Sequence, residues 1–370
     1  MGLPLGLLLV LQQPIIVDGH IDTPQRMLDM RTDITSRLTD GHIDVPRMRE
    51  GGLTAAFFSI WVDARYAQGA AFQRALDLIG AVRALADTNR EVELATTADE
   101  VRAAAARGHI AALMGVEGGH AIENSLEKLD SLYRLGVRYM TLTWNNGNDW
   151  AGSSTDPERH GGLTSFGRQV VGRMNQLGML VDVSHVSDAT FRDVMATSTR
   201  PVIASHSSCR ALAHHPRNLS DEQLRAIARN GGVVGINFYP VFLDEHFRAQ
   251  YEEMRRRLKP QTDSIRAHHR GRPGESAFEV DKFVGQHAES LDVPTIDRLV
   301  DHIEHAVQVM GIDHVGLGSD FDGISVLPRP MKDATSLPEL IRALEDRGYS
   351  DSDVRKILGE NFLRVLTAGP

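Results

Sequence analysis

Eight short apolar runs, each followed by a segment of helical periodicity, constrain this chain more than any other feature. They are "IIVDG" from residue 15, "LTAAFFSIWV" from 53, "IAALMGVEG" from 110, "VRYMTLT" from 137, "MLVDVS" from 179, "PVIAS" from 201, "GVVGINF" from 232 and "HVGLGS" from 314. Most lack polar alternation, as strands buried on both faces of a parallel sheet do. Between them lie segments such as "FQRALDLIGAVRALADT" and "SDEQLRAIARNGG", the latter with Ser220 as N-cap and Gly231 past its end. Such alternation predicts an α/β fold, a (β/α)8 TIM-type barrel. Residues 245–290 break the rhythm: they are highly charged and hold no strand run. We read them as an insertion after strand seven, helical at first and then loop. No internal repeat or low-complexity linker interrupts the chain, so residues 1–370 are expected to form one barrel domain carrying that insertion.

Composition narrows the function. A formal net charge of -9 gives no electrostatic reason to approach nucleic acid. A single cysteine, Cys209, excludes a disulfide framework and a Cys-rich zinc site, and leaves imidazoles and carboxylates as metal ligands. Residues 1–11, "MGLPLGLLLVL", fall short of the roughly 20 residues that span a bilayer. They read either as a signal-peptide remnant or as a strand or hairpin closing one barrel end. No transmembrane segment is expected. The compartment stays open, with the cytoplasm slightly favoured over export.

Barrel enzymes place their chemistry at the carboxyl ends of the strands, which filters the 16 histidines sharply. His20 and Asp22 follow the first run, sharing a face as residues i and i+2 of a strand do. Glu117 follows the third, His185 the fifth, His206 the sixth and Asp320 the eighth. Singly, each has a plainer explanation: a hydrogen-bonded structural histidine, or, for Asp22, the N-cap of a helix beginning "TPQRML". Independent structural roles would not gather all six on one rim while the opposite loops carry no such set. Zinc accepts these residue types, and two ions about 3.5–4 Å apart need a shared carboxylate. Glu117 suits the bridge, with His20 and Asp22 completing one shell and His185 and His206 the other. Room between the ions would hold a water that ionises near neutral pH. Other candidates fall away. "DHIEH" lacks the H-E-x-x-H order, so His302 and His305 read as solvated surface residues; His109 and His314 begin strands on the opposite face; Cys209 reads as structural.

These stretches resemble the membrane or renal dipeptidases (peptidase family M19), metal-dependent members of the amidohydrolase-like barrels. "DGHID" is similar to the family's strand-one motif, "GVEGGH" to its bridging-glutamate motif, "DVSH" and "SHSS" to its later histidine motifs, and "GLGSDFDG" to its strand-eight acidic motif. The spacing from His206 to Arg217, followed by Asn218, also matches. The resemblance implies a two-zinc enzyme that cleaves dipeptides, including those with a C-terminal D-residue, through a metal-bridging hydroxide. His20, Asp22, Glu117, His185 and His206 would be ligands, Asp320 the proton-transfer group and Arg217 the clamp on the substrate carboxylate. Trp144 stands where the family has a histidine thought to contact the substrate. An indole cannot be protonated or ligate a metal, so Asn145, Asn146 or Asn148 is the candidate amide donor there. Trp144, Asn146 and Tyr239 are assigned to the substrate site. Relatives of this kind are often homodimers. The alternatives are another binuclear amidohydrolase acting on N-acyl amino acids, lactams or esters, and a silent binding protein, against which the intact set of six argues.

Overall fold

The computed structural model describes residues 14–156, 159 and 161–367; the apolar stretch at 1–11 lies outside them. All eight apolar runs become parallel strands: β1 (Ile16–Ile21), β2 (Leu53–Trp61), β4 (Ile110–Glu117), β5 (Val137–Thr141), β6 (Leu180–Asp182), β7 (Val202–Ser207), β8 (Val233–Ile236) and β9 (Val315–Leu317). Each pairs with the next and β9 returns to β1, which closes the barrel. A further strand, β3 (Val92–Leu94), carries no periodicity that three residues could reveal. It pairs with Ile110–Ala112 at the start of β4, while β5 takes the same edge from Met114 onward.

The barrel's lower interior is filled by Val17, Ala55, Phe57, Leu113, Tyr139, Ile203 and Val233, with the ring of Phe362 from the C-terminal helix Asn361–Thr367. That ring enters because β1 and β9 carry glycines there. A Cβ at Gly19 would stand 2.7 Å from Phe362, and one at Gly316 2.6 Å from it. A larger outer core binds the helices to the sheet. Ser220 caps helix Asp221–Arg229 as expected, within a reciprocal capping box with Gln223.

Two expectations are corrected. The second half of the charged segment is helix rather than loop: Glu245–His268 is followed by Pro273–Ala288, and Pro273 sits in the first turn of that second helix, where a missing N–H costs nothing. Val280, Val284 and Ala288 pack against Phe247 and Tyr251. His302 is not solvated. It falls on the apolar stripe Leu299, Ile303 and Ala306 of helix Ile296–Met310 and is fully buried. Its Nδ1 accepts from the Cys209 amide (3.1 Å) and its Nε2 donates to the Leu243 carbonyl (2.9 Å). Among the described residues no helix is long and apolar enough to cross a membrane.

Candidate metal centre

The six rim residues reach one place by three backbone routes. Glu117 arrives by plain alternation, since Ala111 and Leu113 of the same strand also face inward. His20 and His206 need bulges. Val17 faces the interior but Ile21 packs in the outer core, whereas strict alternation would put them on one face. Against β2, β1 gains a residue between Asp18 and Ile21, and β7 gains one against β8 between Ala204 and Ser207. A bulge of this kind re-aims the side chains beyond it. His185 and Asp320 sit in the left-handed region, with φ of 68° and 65°. Such a conformation costs a non-glycine residue about 1–3 kcal/mol and must be held by its surroundings.

Glu117 is divided between its neighbours. Its Oε1 lies 2.8 Å from His185 Nε2 and 3.6 Å from His206 Nε2, and its Oε2 lies 3.4 Å from His20 Nε2. His20 Nε2 is also 3.4 Å from Asp22 Oδ2, and His20, Asp22 and Asp320 offer ligand atoms all within 4.8 Å of one another. Each imidazole has its Nδ1 engaged from behind: His20 by the Tyr139 hydroxyl (2.8 Å), His185 by Asn145 Oδ1 (3.2 Å) and His206 by Ser205 Oγ (2.8 Å). All three Nε2 atoms therefore converge on one carboxylate. Asp22 stands at the N-cap of helix Thr23–Asp29 but makes no capping hydrogen bond, so the helix-cap explanation does not account for it. Its Oδ1 and His20 Nε2 are buried without a hydrogen-bond partner.

The electrostatics are those of a site that seeks a cation. Burial alone would lower the His20 imidazole, yet Tyr139, Asp22 and Glu117 outweigh it and hold the ring well above its ordinary range. Burial would raise Glu117, but His20 and His185 keep it well below the usual carboxylate range. His185 is pushed down to about 4 and His206 well below its ordinary value, chiefly by burial, with Arg217 and His20 contributing. Burial, with Asp22 and Glu117 alongside, raises Asp320 to about 7. The lowered imidazoles of His185 and His206, the charge of Glu117 on His20 and the orphaned Asp22 oxygen suit zinc or a similar borderline cation.

A cavity of about 370 Å³ opens above the cluster. Arg217 lines it and is 4% exposed; one terminal nitrogen donates to the His206 carbonyl (3.2 Å) and the other is buried without a partner. Trp144 lines the cavity, edge-on to Trp61 at 5.0 Å, as does Tyr239. Asn146 does not: Asn145 takes that position, while Asn146 Nδ2 turns to the Gly147 carbonyl. Helices Glu245–His268 and Pro273–Ala288 add Arg255, Phe278 and Asp281 to the wall. Sequence reasoning missed Asn237, whose Nδ2 donates to Asp320 Oδ2 (2.9 Å), although it too follows a strand on the rim. A filter restricted to metal-compatible residue types passes over an amide.

A side chain at Gly323 would displace the acidic pair, since a Cβ there would stand 2.1 Å from Asp22 Oδ2 and 2.8 Å from Asp320 Oδ1. Gly323→Ala is expected to cost about 1–3 kcal/mol in urea unfolding, as overpacking does. Gly172→Ala, in open space within helix Ser165–Leu177, should instead stabilise by up to about 1 kcal/mol. Equal effects from both would show that the loop yields.

A closed parallel barrel with imidazoles and carboxylates gathered at the carboxyl ends of its strands defines a hydrolase barrel of the metal-dependent kind. Residues 8–369 match the model of the membrane dipeptidase family, peptidase family M19, and the chain belongs to that family. It is a metallo-dipeptidase by that membership. It is 34% identical over 372 residues to dipeptidase verJ of Clonostachys rogersoniana, covering 95% of this chain and 83% of the relative. Among solved structures, a metallopeptidase from Rhodobacter sphaeroides liganded with a phosphinate mimic of L-Ala-D-Ala is 28% identical, with a TM-score of 0.79 over 97% of this chain and 100% of its own. The probable dipeptidase PvdM from Pseudomonas aeruginosa is 26% identical, with a TM-score of 0.82 over 96% and 95% of the two chains.

Proposed function

We propose that the protein hydrolyses dipeptides, including those with a C-terminal D-residue, at a pair of zinc ions. The observation that carries this reading is the division of Glu117, one oxygen toward His20 and the other toward His185 and His206. His20, Asp22 and Glu117 would hold one ion, and Glu117, His185 and His206 the other. When bound, the ions supply a water acidic enough to act as nucleophile and polarise the scissile carbonyl.

The remaining work falls to the chain's own side chains. Arg217 offers its unpartnered guanidinium nitrogen to the substrate's free carboxylate, a charge-assisted contact whose planar geometry fixes the peptide's distance from the rim. Asp320, steadied by Asn237, takes the nucleophile's proton and delivers it to the leaving amine. Trp144 and Trp61 form an apolar wall, and helices Glu245–His268 and Pro273–Ala288 supply the wall above the rim. Tolerance of a D-residue is supported by the related Rhodobacter sphaeroides enzyme, which holds a mimic of L-Ala-D-Ala.

Metal analysis of the purified protein with a screen of L,L- and L,D-dipeptides, with and without chelator, tests the reading. Two zinc ions per chain and chelator-sensitive cleavage are expected; cleavage indifferent to chelation would overturn it. Arg217→Ala should raise dipeptide KM by about 10–100-fold, the loss of a charge-assisted hydrogen bond worth about 1.5–3 kcal/mol. A substrate lacking a free carboxylate should not respond. If such a substrate proves the better one, the site serves an ester or a lactam instead.

A further inference from the structure

We propose that Asp182, acting through Ser205, fixes which ring nitrogen of His206 carries the proton and so presents the Nε2 lone pair to the metal centre. The three residues form a chain inside the barrel. Asp182, Ser205 and His206 are all essentially unexposed. Asp182 Oδ1 accepts from the backbone amides of Ser184 (3.0 Å) and Ser205 (2.9 Å). Its Oδ2 accepts from the hydroxyls of Thr141 (2.5 Å) and Ser205 (2.6 Å). With two donors on each oxygen, the carboxylate has only accepting roles.

The direction of the next bond follows from that accounting. Ser205 has one hydroxyl hydrogen, and the carboxylate oxygen at 2.6 Å is a stronger acceptor than a neutral ring nitrogen at 2.8 Å. Ser205 Oγ therefore donates to Asp182 and accepts from His206 Nδ1–H. The second ring nitrogen then carries no hydrogen and faces the metal centre with its lone pair, 3.0 Å from His185 Nε2 and 3.6 Å from Glu117 Oε1. Asp182 and Ser205 touch neither the substrate cavity nor the ligand atom; they are positioning residues. A partner behind a ligating imidazole of this kind typically changes metal affinity about 10–100-fold.

The inference rests on the two-ion reading, and the test separates the two. Chelator-stripped full-length protein is titrated with cobalt, and the tautomer of His206 is read from nitrogen chemical shifts of histidine-labelled protein. Ser205→Ala is expected to weaken one of two cobalt ions by about 10–100-fold, leave the other unchanged, and reduce the Nδ1–H form of His206. Thr141→Val removes the other hydroxyl from the same carboxylate oxygen without touching His206, and should keep wild-type affinity and tautomer. If Ser205→Ala binds both ions as the wild type does, or Thr141→Val weakens binding equally, the relay is overturned. Failure of the wild type itself to take up two ions would overturn the underlying two-ion reading instead.

Discussion

Glu117→Gln is expected to give a folded protein that no longer retains a metal pair and whose kcat/KM is at least about 10³-fold down. The amide is nearly isosteric with the carboxylate, and its N–H can donate to an imidazole lone pair now 2.8–3.6 Å from a carboxylate oxygen. The fold therefore loses little. What the variant loses is the negative charge that the proposed pair of cations would share, and metal assistance supplies several kcal/mol of barrier lowering. Metal content and thermal unfolding with and without chelator check this. The wild-type Tm should fall on chelation, because a ligand bound only by the folded state stabilises it, whereas the Tm of Glu117→Gln should not move. A variant holding two ions with near wild-type turnover would show that Glu117 is not the bridge.

The barrel and the residues of this centre are legible in the sequence to different depths, for reasons visible in the backbone. Glu117 lies on a regular strand, so inward alternation from Leu113 leads straight to it. For His20 the i, i+2 relation to Asp22 is readable, but the inward aim of the pair is not: counting from Val17 would turn His20 outward, and a bulge reverses it. Bulges leave little mark on composition. His185 and Asp320 depend on left-handed backbone, which histidine and aspartate adopt more readily than most residues but in only a small share of cases, so the residue type alone does not mark these positions. Ser205 is the chain neighbour of the imidazole it serves, but Tyr139 and Asn145 lie 119 and 40 residues from theirs, and only the fold brings them within 3.2 Å of a ring nitrogen. His302 is buried because it lies on the apolar stripe of helix Ile296–Met310, where the polarity of the residue type points the other way from its position on the helix.

Asp320→Asn is expected to lower kcat by about 10²–10⁴-fold while metal content and dipeptide KM stay near wild type, the signature of a lost proton carrier rather than a lost ligand. The substitution suits the position. Asparagine is among the non-glycine residues most at ease at positive φ, so the backbone at 65° is not disturbed. The new amide oxygen can still accept from Asn237 Nδ2, as Asp320 Oδ2 does. Nor does it add volume beside Gly323, which already packs against the carboxylate. What disappears is the capacity to take a proton and return it. Asp320 also lies in reach of His20 and Asp22, close enough to serve as a ligand itself. The metal count decides between the two roles: two ions with slow turnover make Asp320 the proton carrier, whereas loss of an ion alongside activity makes it part of the cation's shell and moves proton transfer elsewhere on the rim.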